Sequence, residues 1–143
     1  MVKSVNRAIV LLLLMMHGIT GCSYFMSRQI AEGPALSDNE VVFRYYAPNA
    51  RRVQLAGDWP PNNWARGDGD VGEANIGLMD DKNSDGVWEI RVALEPGRYR
   101  YLFLVDENTW HTDPGNPEEV EGGPMQLCSQ IVLHIRNDRI EIR

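Results

Sequence analysis

The sequence predicts an all-β fold, an antiparallel sandwich of about seven or eight short strands. Apolar residues recur with a period of two in several separate stretches, the signature of strands with one buried face. Clusters of Gly, Pro, Asn and Asp stand between those stretches as turns. Beyond the N-terminal segment there is no amphipathic helical pattern and no internal repeat.

The chain opens with basic Lys3 and Arg7, followed by an apolar run from Ala8 to Met16 that is too short to span a bilayer. Ile19-Thr20-Gly21-Cys22 comes next. An aliphatic residue, two small ones and a cysteine resemble the lipobox of bacterial lipoproteins. The resemblance implies a signal peptide over residues 1–21 and a diacylglycerol on Cys22. It also implies acylation (palmitate) of the new amino group and a lipid anchor in the cell envelope. Several acyl chains hold a protein on a membrane where one does not. Ser23, rather than aspartate, after the cysteine points to the outer membrane. An ordinary secretory signal with an incidental cysteine is the alternative.

Residues 22–38 read as a polar linker, with Gly33-Pro34 near its middle, and residues 39–143 as the sandwich. Val41, Phe43 and Tyr45 alternate with Val42, Arg44 and Tyr46, and Ala47-Pro48-Asn49 ends the run. Arg52 to Ala56 is a second strand, with Val53 and Leu55 on one face. Gly57 to Ala74 has no periodicity and reads as a long loop, a kind that tends to be functional. Asn75 to Asp80 reads as a short strand. Trp88, Ile90, Val92 and Leu94 form one face of the next strand, and Tyr99, Tyr101, Phe103 and Val105 one face of another. Pro96-Gly97 between them predicts a type II turn, so the pair reads as a hairpin. Gly115 to Gly123 is a second polar loop, Ile131 to Ile135 a strand, and Asn137-Asp138 a turn into a last strand carrying Ile140 and Ile142.

The net charge is −6, and removal of residues 1–21 takes two of the 14 basic residues with it. No basic patch is visible, so nucleic acid is not an expected partner. With Cys22 lipidated, Cys128 has no intramolecular partner and reads as a small buried hydrophobe. No Cys/His cluster suggests a zinc site, and no cofactor is expected. Asp81-x-Asn83-x-Asp85-Gly86 matches the start of a calcium loop, but Val92 stands where the bidentate glutamate belongs. A turn is the preferred reading, with a weak calcium site as the alternative. Arg66-Gly67-Asp68 carries little weight in a loop of this composition. Beyond His17 of the leader the histidines are His111 and His134, and no serine sits in a nucleophile motif, so no enzymatic activity is expected.

Three segments fall in an order that resembles a known family: FRYYAPNARRVQLAGDWPPNNW (Phe43 to Trp64), GVWEIRVALEPGRYRYLFLVD (Gly86 to Asp106) and WHTDP (Trp110 to Pro114). They are similar to carbohydrate-binding module family 48, which includes the glycogen-binding domain of AMP-activated protein kinase β subunits and the N-terminal domains of isoamylases. The resemblance implies an immunoglobulin-like β-sandwich of the early-set type. It implies that Trp64 and Trp110 stack on glucose rings of an α-glucan such as glycogen. Asn63, Ser129 and His111, which sits beside Trp110 and can hydrogen-bond a sugar, are the further candidate contacts. An indole offers a broad polarisable plane to the C–H face of a sugar. Binding members of the family place a lysine where this chain has Leu102. They place a threonine and an asparagine where it has Leu127 and Ser129, and a leucine where it has Met125. Trp59 stands in place of a phenylalanine and reads as packing on the sandwich edge. The leading reading is a lipid-anchored, non-catalytic module for an α-glucan or related polysaccharide. The alternative is an envelope protein-interaction or scaffold module that has lost sugar binding.

Overall fold

The computed structural model describes residues 30–67 and 75–143. The leader, Cys22 and Asp68 lie outside the described residues. Nine strands follow one another among the described residues: β1 (Ala35–Ser37), β2 (Glu40–Tyr46), β3 (Val53–Gly57), β4 (Val87–Val92), β5 (Gly97–Val105), β6 (Thr109–His111), β7 (Glu119–Glu121), β8 (Leu127–Arg136) and β9 (Arg139–Ile142). All pair antiparallel. One sheet has the order β1-β2-β4. The larger has the path β3-β5-β8-β7, with β6 added to β5 and β9 to β8.

The two sheets bury the faces that the alternation marks. Val41 and Phe43 of the small sheet meet Val53, Leu55, Tyr101, Phe103, Ile131 and Leu133 of the large one, with Trp88, Ile90 and Val92 packed alongside. Phe43 meets the Tyr101 ring edge-on at 4.9 Å, and Tyr45 lies 4.5 Å from Phe103. Complete burial of a side chain such as Phe43 or Leu55 contributes about 1.5–3 kcal/mol. Trp59 belongs to this core: it stacks on Phe43 at 6.1 Å and meets Tyr99 edge-on at 5.8 Å. Gly57 leaves it room, because a Cβ there would fall inside the indole.

The β4–β5 hairpin expected around Pro96-Gly97 does not form. β4 pairs with β2, and β5 with β3, β6 and β8, so Leu94 to Pro96 carries the chain from one sheet to the other. Gly97 is also outside the left-handed region, so the type II turn is absent. The tight hairpins lie elsewhere. Asp38 and Asn39 (φ 52° and 66°) join β1 to β2, and Asn137 and Asp138 (φ 52° and 58°) join β8 to β9. Positive φ at both central residues suits the twist of the flanking strands.

Part of the stretch expected to be a linker is built into the body. β1 pairs with β2, and Gly33 lies so close to Gly115 that neither has space for a side chain. Asn75 to Asp80 forms isolated bridges, Leu78 to Gln54 and Asp80 to Glu89, rather than a strand. The Asp81 segment is a turn. Asp81 accepts from the amides of Asp85 and Gly86 at 3.1 Å each, and Asp85 accepts from the Val87 amide at 2.8 Å.

Candidate functional site

Trp64 stands on an unusual piece of backbone. Asn63, Trp64 and Ala65 all have positive φ (44°, 63° and 57°), which costs a non-glycine residue roughly 1–2 kcal/mol apiece. Asn62, nearly fully buried, holds the turn in place. Its Oδ1 accepts from the amides of Gly57 (2.7 Å) and Ala65 (2.8 Å), and its Nδ2 donates to the Leu55 carbonyl (2.8 Å). The Trp64 amide donates to the Gly57 carbonyl at 2.7 Å. The turn is therefore clamped to the edge of β3 away from β5, beside the Gly77–Met79 segment that bridges it. From there the half-buried indole reaches the β7–β8 turn, where a Cβ on Gly123 would lie 2.7 Å from its ring.

Trp110 occupies the middle of β6, opposite Leu104. Tyr101 and Phe103 face the core, so the pleat turns Leu102, Leu104 and Trp110 to the outer face of the six-stranded sheet. Trp110 is half-buried there, while Leu102 and Leu104 are fully buried. Arg100 shares this face by the same alternation and seats its guanidinium against Gly122, next to the glycine under Trp64. Trp110 thus lies on the outer face of the larger sheet and Trp64 at its β7–β8 rim, and neither belongs to the core.

The other expected residues are placed differently. Asn63 is exposed and donates to the Gly67 carbonyl at 3.1 Å. His111 pairs with Phe103, so it points away from the Trp110 side. Its ring lies 5.7 Å from Tyr45, in a small cleft of about 280 Å³ shared with Tyr46, Asn49 and Asp106. The expectation that His111 flanks Trp110 on one platform is corrected, because neighbours in a strand point to opposite faces. Ser129 is corrected as well. It is fully buried, and its Oγ accepts from the Asp113 amide at 2.7 Å, so no ligand reaches it. Leu127 is 45% exposed and Met125 39% exposed, and both line a shallow groove of about 650 Å³ with Glu121, Gly122 and Gln126.

Sequence reasoning missed the polar network behind the face. Tyr101 donates to Asp113 Oδ2 at 2.7 Å, Gly115 N–H to Asp113 Oδ1 at 2.8 Å, and Asn116 Nδ2 to the Tyr101 hydroxyl at 3.0 Å and the Gln130 carbonyl at 2.9 Å. Burial pushes the Asp113 carboxyl above the ordinary carboxylate range, although its bonds from Tyr101 and Gly115 pull the other way. Burial first, and then the charge of Asp113, hold the Tyr101 phenol far above its usual value. The network fixes the loop that follows Trp110 by tying it to β5 and β8. Its only sequence signal is the Asp113-Pro114 pair.

Both indoles stand partly exposed on an antiparallel β-sandwich. The chain belongs to carbohydrate-binding module family 48, the isoamylase N-terminal domain family, whose profile matches residues 31–120. The fold is accordingly the immunoglobulin-like sandwich expected. Over 71 residues the chain is 35% identical to a 1,4-alpha-glucan branching enzyme (GlgB) of Lactobacillus acidophilus, a match covering 49% of this chain and 9% of the enzyme. Among solved structures it is similar to a pullulanase from Bacillus acidopullulyticus, with a TM-score of 0.49 and 21% identity, over 71% of this chain and 12% of that one. The matched region is therefore a small part of each of these larger enzymes.

Proposed function

We propose that this chain is a non-catalytic module that binds an α-glucan through Trp64 and Trp110. The observation that supports the reading is that both indoles are half-buried outside the core, Trp110 on the outer face of the six-stranded sheet and Trp64 at its β7–β8 rim. Family membership and the likeness to a branching enzyme support a glucan as the ligand. At about 25 cal/mol per Å², stacking that covers roughly 60 Å² of each ring contributes about 1.5 kcal/mol per tryptophan. The leader sequence supports a further element, attachment to the bacterial outer membrane through lipid on Cys22.

The test is retention on glycogen or amylose in affinity electrophoresis. Wild-type protein is retarded, and the Trp64→Ala, Trp110→Ala double variant migrates as if no glucan were present while keeping its melting transition. Wild-type protein that passes both polymers unretarded refutes the reading. Labelling with tritiated palmitate, lost in Cys22→Ala, tests the anchor.

A further inference from the structure

Leu102 stands where binding relatives were expected to carry a lysine, and it is fully buried, so the sugar face lacks a polar group at that position. Arg100 lies two residues earlier on the same face. Its backbone and side chain are both held by Asp58: Arg100 N–H donates to Asp58 Oδ1 at 3.0 Å, and Nε to Oδ2 at 2.8 Å. The Asp58 amide returns a bond to the Arg100 carbonyl at 3.1 Å. This clamp fixes the guanidinium plane through one edge only. Among the described residues, Nη1 and Nη2 make no hydrogen bond to protein, and the side chain is 42% exposed.

The seat of the guanidinium places it beside the first indole. A Cβ on Gly122 would lie 2.5 Å from Arg100 Nη1, and a Cβ on Gly123 2.7 Å from the Trp64 ring. Two consecutive glycines (φ 135° and 75°) therefore make room for a cation and an aromatic plane side by side. A fork of unspent donors at the rim of a stacking surface recognises the hydroxyl oxygens of a ring lying on that surface. Asp58 already neutralises the charge, and Glu121 lines the adjoining groove. The fork is thus suited to neutral hydroxyls rather than to an anionic sugar.

We propose that Arg100 is a sugar-contacting residue, its Nη1 and Nη2 donating to hydroxyl oxygens of a glucose unit stacked on Trp64. The proposal rests on the glucan-binding reading and adds its polar contact. Arg100 also tethers the start of the Trp64 loop through Asp58, so the test must separate contact from support. The probe is maltoheptaose, titrated by calorimetry against wild type, Arg100→Ala, Arg100→Lys and Trp64→Ala, with melting temperatures alongside. Lysine keeps the ion pair to Asp58 but lacks the fork. Contact requires that Arg100→Lys melt like wild type yet bind about tenfold more weakly, close to Arg100→Ala. Lysine that restores wild-type affinity overturns the proposal and leaves Arg100 a support. Arg100→Ala binding within about twofold of wild type, while Trp64→Ala loses binding, overturns it as well. Absence of binding by wild type sinks the glucan reading itself, and the proposal with it.

Discussion

Replacing Asn62 with alanine removes three buried hydrogen bonds at once, those to Gly57, Ala65 and Leu55. Each bond contributes about 1–1.5 kcal/mol, and the two amides and one carbonyl left behind lose partners near the edge of β3. Against this loss stands a partial relief of the left-handed turn, about 1–2 kcal/mol in all, as it relaxes once the clamp is gone. We expect a net loss of about 2 kcal/mol, or roughly 8 °C in melting temperature for a domain of this size. The larger effect is on binding. A relaxed turn no longer holds Trp64 over Gly123, so Asn62→Ala approaches the affinity of Trp64→Ala although it touches no ligand. Differential scanning fluorimetry and amylose affinity electrophoresis read both effects. An Asn62→Ala protein that melts within about 2 °C of wild type and is retarded normally refutes the account of how Trp64 is presented.

Gly123→Ala drives a methyl into the Trp64 ring at a φ of 75°. It should therefore lower glucan retention several-fold with a modest loss of melting temperature, and unchanged retention argues that the ring does not bind from this seat. Asp113 is expected to make stability pH-dependent. Its folded value is raised, so the native state holds the extra proton between the ordinary carboxylate value and the raised one. Its contribution is full below the unfolded value and is lost as pH rises through the folded one. The melting temperature of wild type relative to Asp113→Asn should consequently rise as pH is lowered from 7 towards about 4, and a difference that stays constant removes the assignment.

The alternation in the sequence reported which side of each strand is buried. It did so correctly for Val41 and Phe43, for Ile90 and Val92, and for Tyr101 and Phe103. It could not report partners. A strand that faces its successor across a sandwich core has the same period as one paired beside it, and so β4 and β5 read as a hairpin. In the candidate site, Trp64 stands out in the sequence because a large apolar side chain among turn residues needs a reason to be there. His111 was misplaced because a three-residue strand, β6, turns it away from Trp110. Ser129 was misplaced because a position in a linear motif carries no information on depth. Asn62, Asp58 and Arg100 escaped notice because their importance lies in bonds between segments distant in sequence, such as Asp58 to Arg100.

The close approach of Gly33 to Gly115 has a mechanical consequence. The contact seats the incoming backbone against the loop after Trp110 before it enters β1. Gly115 is bonded to Asp113, and Asp113 and Asn116 are bonded to Tyr101 and Gln130 on the two central strands of the larger sheet. The chain therefore meets the body where it is best braced, a few residues past the second indole. With the proposed lipid on Cys22, a tether on this side would set the bearing of the indole-bearing face relative to the membrane.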